Sequence, residues 1–154
     1  MKQLSLCIFC ALLFISCLSN PPYQFDNFAL YPVSAKKPLK EAGEILSELG
    51  YPIKSVNYEM GELKTDWHKF VIDKGALSIP LNMRTQVVIN PRDDGSLKLS
   101  FSAQSTYGTV SSEKNYQPIP PNMEDEVNDS KAEYKRVREA LSKKFSIKVV
   151  PHRL

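Results

Sequence analysis

The sequence predicts an α+β fold: an antiparallel β-meander of four to six strands with two helices packed on one face, a helix-grip-like two-layer sandwich. Three observations predict it. Residues 38–49 and 123–144 repeat apolar side chains at helical spacing, the chain between them alternates apolar and polar residues with a period of two, and the intervening turns are rich in Gly, Pro, Asn and Asp. A sheet that alternates in this way has one wet face, so a single covering layer suffices, and two helices supply it.

The chain opens with a leader. Residues 1–3 make a short basic start, 4–16 is an almost unbroken apolar run, and Phe14-Ile15-Ser16-Cys17 closes it. A bilayer-spanning helix needs roughly 20 apolar residues, so this run has the length of a secretory signal instead. Ala11 sits too early to complete an Ala-x-Ala cleavage site, whereas small Ser16 directly before a cysteine is what lipoprotein maturation accepts. The tetrapeptide resembles the bacterial lipobox, with Phe14 where Leu is usual, a variation similar to that of spirochaete lipoproteins. The resemblance implies cleavage before Cys17, acyl chains on Cys17, and a lipid-anchored protein of the bacterial outer membrane facing either the periplasm or the outside.

Three parts are expected: a signal peptide over 1–16, a lipidated cysteine with an extended tether over 17–27, and a single domain over 28–154. Cys7 and Cys10 leave with the leader and Cys17 is acylated, so the mature chain carries no disulfide and no cysteine metal site. The formal net charge of +3 falls to +2 without Lys2, too small to argue for a nucleic-acid partner.

Within the tether, Pro21-Pro22 rules out helix, because proline lacks the amide donor and fixes its backbone angle. Phe28 to Val33 is expected to dock as a short strand or packed arm. In the first helix Leu39, Ala42, Ile45, Leu46 and Leu49 form one stripe, Pro38 suits the first turn, and Gly50 with Pro52 ends it. The period then changes to two, with Val56, Tyr58, Met60, Leu63, Thr65 and Trp67 expected inward around a turn at Gly61. Parity slips after Trp67, and a bulge near Lys69 accounts for it. Leu77 to Ile89 and Leu97 to Tyr107 alternate most regularly, about a turn at residues 90–95. In the second helix Val127, Tyr134, Val137 and Leu141 give the stripe, with acidic residues at its start and basic ones at its end, each complementing the nearer pole of the helix dipole. Residues 145–150 alternate and are expected to form a last edge strand.

Catalytic constellations were sought without success. His68 stands two residues from Asp66, which on a regular strand puts both on one solvated face with Lys64, and no nucleophile accompanies them. There is no metal-ligand spacing, glycine-rich phosphate loop or nucleophile elbow, so neither a catalytic residue nor a cofactor is assigned. The proline-dense segment around Tyr116, Pro118, Ile119, Pro120 and Pro121 has two readings: a recognition segment presenting Tyr116 and Ile119, or a stiff connector from sheet to helix. From Lys131 onward eight basic residues face two acidic ones, either a surface for anionic head groups or a solvated face.

The order of amphipathic helix, Leu49-Gly50-Tyr51, and Gly61-Glu62-Leu63-Lys64-Thr65-Asp66-Trp67, followed by further strands and a long closing helix, resembles the helix-grip domain of BamC-like envelope lipoproteins. The resemblance implies structural roles for these residues, with Gly50 capping a helix, Gly61 turning a hairpin and Trp67 anchoring the core. The resulting expectation is a non-catalytic binding or assembly module, attached to the membrane through Cys17 and meeting an envelope protein partner through its wet sheet face or residues 116–121. A carrier of an apolar or lipid ligand between helices and sheet is the alternative.

Overall fold

The computed structural model describes residues 21–33, 36–72, 80–108 and 115–150. Its elements run β1 (Asn27–Pro32), α1 (Pro38–Glu48), β2 (Ile53–Asn57), β3 (Glu62–Thr65), β4 (His68–Ile72), β5 (Leu81–Pro91), β6 (Leu97–Tyr107), β7 (Gln117–Pro118), α2 (Glu124–Ser142) and β8 (Phe145–Val150). The strands form one antiparallel sheet in the order β2-β3-β5-β6-β1-β8, with β4 also on β5 and β7 also on β6. Both helices cover one face, as the two-layer α+β reading expects. Eight described strands replace the expected four to six because a bulge divides β3 from β4 and the proline segment contributes β7. Leu77 and Ile79, expected in β5, and Cys17 lie outside the described residues.

The β5–β6 hairpin is the frame. Its register holds from Leu81↔Tyr107 to Pro91↔Leu97, and all the odd-numbered residues of β5 from Leu81 to Ile89 are buried against the helices. Its turn is fixed by short-range bonds: Arg92 N–H donates to the Ser96 carbonyl, Gly95 N–H to the Arg92 carbonyl, and Ser96 N–H and hydroxyl both donate to the Asp94 carboxylate. Those two Ser96 bonds hold the Asp94 carboxyl below its usual range.

Helix α1 ends in a Schellman motif. Tyr51 N–H donates to the Leu46 carbonyl and Gly50 N–H to the Ser47 carbonyl, both at 2.9 Å, with Gly50 at φ +88°. The motif turns Tyr51 directly into the core, where it and Leu46 are fully buried. On the buried stripe, Gly43 lets the helix approach β3, since a Cβ there would lie 2.9 Å from Leu63 Cδ1.

β3 and β4 share the same edge of β5. Leu63 pairs with Ile89 and Lys64 with Val88, whereas His68 pairs with Thr85, which leaves one extra residue on the β3–β4 side. The expected bulge therefore sits at Asp66-Trp67, slightly before Lys69. It corrects three expectations. Tyr58 and Met60 are exposed because residues 58–61 form the turn, with the Asn57 side-chain oxygen accepting from Glu59 and Met60 N–H. His68 faces the helices, not solvent beside Lys64. Trp67 lies over the outer face and does not anchor the core.

The N-terminal segment packs earlier than its expected role as a tether to residue 27 allows. Tyr23 N–H donates to the Ile119 carbonyl at 2.8 Å, and Phe25 is buried edge-on against Tyr23 and Phe101. Tyr134 of α2 stacks on Phe28 and donates its hydroxyl to the Asp26 carbonyl, joining the arm to the helix. β1 then enters the sheet between β6 and β8, with Phe28 opposite Leu99 and Val149.

Candidate functional site

The densest group of titratable side chains lies between the layers. Tyr51 donates its hydroxyl proton to Glu133 Oε1 at 2.8 Å; a carboxylate can only accept, so the Thr85 hydroxyl, 2.9 Å away, donates to Tyr51. Arg136 binds the same carboxylate through two nitrogens, at 2.8 Å and 2.6 Å, and also donates to the Leu49 carbonyl at 2.9 Å. His68 Nδ1 is 2.9 Å from the Gly50 carbonyl, so that nitrogen carries the proton, and its ring lies 4.9 Å from that of Tyr51. Burial pushes the Tyr51 phenol well above its ordinary value, and the Glu133 carboxylate adds to the shift. The same carboxylate raises the Arg136 guanidinium.

Each of these groups has a partner within the fold, and together they tie α2 to the end of α1 and to β5. A general base needs an accepting atom free to meet substrate, whereas Glu133 Oε1 is shared between Tyr51 and Arg136 and the His68 proton is given to a backbone carbonyl. Asp66 is not joined to His68: its carboxylate accepts from Trp67 N–H, and its own N–H donates to the Pro52 carbonyl. No group of three His, Cys, Asp or Glu residues among those described is disposed to hold a metal ion.

The second assembly lies on the outer face. Residues paired across an antiparallel sheet share a face, so Asn82, Arg84, Gln86, Val88 and Asn90 of β5 stand beside Thr106, Gln104, Ser102, Ser100 and Lys98 of β6. Arg84 is buried there although it is charged. Its guanidinium lies 4.4 Å from the Trp67 ring centroid and 4.2 Å from that of Tyr116, and donates twice to Gln104 Oε1 at 2.8 Å and 2.6 Å. Cation–π contacts contribute about 0.5–2 kcal/mol each and hydrogen bonds to a charged group about 1.5–3, while burying an ion costs several kcal/mol. The clasp therefore adds little net stability. Its effect is to fix the bulge at Trp67 and the segment at Tyr116 against the same outer-face side chain.

This arrangement corrects the recognition reading of residues 116–121. Tyr116 is buried on Arg84, and Ile119 is buried with Leu81, Met83 and Val127 in a cluster beneath the end of the sheet. Pro118 pairs with Gln104 in β7, Pro120 is half-buried, and only Pro118 and Pro121 are exposed prolines of this segment. The two side chains expected to meet a partner are thus spent on the fold. The stiffness inferred from the prolines has another use: it carries the chain from the sheet edge to α2, where the Pro120 carbonyl accepts from Met123 N–H.

Two open grooves adjoin these elements. One of about 450 Å³ runs beside β6 between β1 and β7, bordered by Pro22, Gln24, Phe101, Ser102, Gln104 and Pro118. The other, about 460 Å³, lies between α1 and β2 and is lined largely by Leu39, Gly43, Ile53, Val56, Tyr58 and Leu63. The basic carboxyl-terminal run does not form one surface: Lys135 pairs with Glu139, Lys144 with Glu41, and Lys131 and Arg138 lie over the rings of Tyr23 and Phe28. No described helix is long and apolar enough to cross a membrane. No protein-family model matches the chain, and no curated protein matches its sequence significantly.

Proposed function

We propose that the chain is a lipoprotein of the bacterial outer membrane, anchored through acyl chains on Cys17, whose folded domain is a non-catalytic binding or assembly module. The anchor rests on the leader: thirteen residues between the basic start and Ser16-Cys17, shorter than a bilayer span. The observation that carries the non-catalytic reading is the saturation of the Tyr51–Glu133–Arg136–His68 network by internal bonds. What the domain offers a partner is the polar outer face of its sheet. Replacing Cys17 with Ser should move the protein from the membrane fraction to the soluble fraction with its fold unchanged by circular dichroism. Retention of the Cys17→Ser protein in salt-washed membranes would overturn the anchor. For the binding role, crosslinking in intact envelopes should give one recurrent adduct through outer-face positions, and adducts no more frequent there than on the helices would count against it.

One observation favours a second reading, the carriage of an apolar ligand. The space between the layers is filled by Tyr51, Leu46, Phe28 and Leu30, but the groove between α1 and β2 is apolar, open and within the size range of small-molecule sites. Native mass spectrometry of the delipidated protein should then show one bound lipid, displaced by Val56→Glu; ligand-free spectra would remove the idea.

A further inference from the structure

Charge is divided between the two layers. Among strand residues whose face the pairings fix, the outer face carries Lys64, Lys69, Arg84, Lys98 and Lys148 against Glu62 alone. Lys98 and Lys148 flank the small Ala29 on neighbouring strands, so their side chains emerge on either side of a low point in the face. The helices have the opposite balance. α1 carries three glutamates against Lys40, and α2 carries six acidic residues against four basic ones. One layer is net positive and the other net negative, although the chain as a whole is nearly balanced.

The N-terminal arm arrives on the basic side of this division. Pro22 borders the groove beside β6 together with Lys98, Ser100, Ser102 and Gln104, all outer-face residues. Cys17 precedes Pro21 by four residues, a span of at most about 14 Å when fully extended. A chain held by acyl groups on Cys17 thus has the rim of its basic face within about two Debye lengths of the bilayer surface, where anionic head groups attract lysine and the acidic helices are repelled.

We infer that the outer sheet face, through Lys64, Lys98 and Lys148, is a docking surface for the anionic head groups of the membrane in which Cys17 is anchored, so that the sheet faces the bilayer and the helices face away. The inference rests on the anchor reading and adds an orientation to it. The polar rows of Ser, Gln, Asn and Thr on this face are suited to a hydrated head-group layer, because they stay solvated without apolar insertion. Each lysine contributes a factor on the order of fivefold to partitioning on an anionic surface, a contribution that salt screens.

The chain contains one tryptophan, Trp67, and it lies on this face, which supplies the readout. The full processed chain is bound to phosphatidylcholine vesicles with and without phosphatidylglycerol, each with a nitroxide-labelled head group, and Trp67 quenching is followed alongside cosedimentation. Quenching is expected to be several-fold stronger on the anionic vesicles and to fall to the neutral-vesicle value in high salt. It should fall likewise in Lys64→Glu/Lys98→Glu/Lys148→Glu, and partway in the charge-neutral Lys→Gln version, which guards against a folding defect. A helix-layer control, Lys40→Glu/Lys135→Glu, should quench like the wild type. Cosedimentation with equal quenching on both vesicle types would overturn the docking surface and leave the anchor intact. Sedimentation with anionic vesicles only, with strong quenching, would leave the docking surface intact and overturn the anchor. Saturable binding to soluble dextran sulfate without a gain of quenching on anionic vesicles would assign the face to an anionic polymer and overturn the lipid assignment.

Discussion

Tyr51 shows how a single residue connects local backbone chemistry to the whole domain. Gly50 takes up the left-handed conformation that ends α1, and this delivers the next side chain into the core with its hydroxyl between Thr85 and Glu133. An unfolded tyrosine titrates near pH 10, whereas the folded phenol is held above that by burial. The folded state therefore keeps its proton longer than the unfolded chain. The stability this contributes is complete below about pH 10 and is lost as pH rises toward the folded value. Tyr134, pushed up to about 12 by burial and then by the negative charge of Asp26, acts in the same direction. Tyr51→Phe strands the buried Thr85 hydroxyl and should cost about 1–3 kcal/mol at neutral pH. Urea titrations at about pH 8 and about pH 10.5 should show the wild type losing stability between the two, with a shallower decline in Tyr51→Phe. Equal stabilities of the two proteins at neutral pH would mean that the network does not hold the layers together.

Elements differ in how far their sequence determined their placement. Helices α1 and α2, the β5–β6 hairpin and β8 were legible because the period of their apolar residues coincides with the burial they achieve: Leu39, Ala42 and Leu46 in α1, Val127, Val137 and Leu141 in α2, and alternate residues of β5. The parity slip after Trp67 was legible as a bulge, but not its consequence. One extra residue at Asp66-Trp67 moves His68 inward and frees Trp67 for the outer face, where its partners are residues 17 and 49 positions away in sequence. The burial of Tyr116 was hidden for the same reason, since a proline segment looks alike whether its aromatic side chain meets a partner protein or an arginine of its own sheet. The clasp can be tested through the lone tryptophan. Arg84→Ala should lose about 2–3 kcal/mol, as expected for removing a large buried side chain, and shift Trp67 emission to the red. Tyr116→Ala should produce a similar shift without change in helix content by circular dichroism. An unshifted spectrum in both variants would mean that the stacked arrangement does not persist in solution.

At the scale of the molecule, the closure of the sheet joins the two ends of the chain. β1 is made first yet lies between β6 and β8, paired from Asn27↔Val150 to Pro32↔Phe145, so its second neighbour is the last strand made. Contacts this distant in sequence repay their loop-closure entropy late, so the arm that leads toward Cys17 is secured only when β8 docks. Along β8 the inward residues grade from buried Phe145 through half-buried Ile147 to Val149, which is 50% exposed. The grade runs from the tight exit of α2, where Lys144 N–H still donates to the Leu141 carbonyl, out to the open edge of the sheet. Energetic weight should follow burial. Phe145→Ala is expected to cost about 3–5 kcal/mol and Val149→Ala less than about 1, with Ile147→Ala between them. Urea unfolding followed by circular dichroism gives the three values, and amide exchange at Phe28 and Leu30 shows whether the loss reaches β1. Comparable costs at Phe145 and Val149, or protection of β1 untouched by Phe145→Ala, would mean that β8 is an independent edge and that the arm is held by its aromatic contacts with Phe101 and Tyr134 alone.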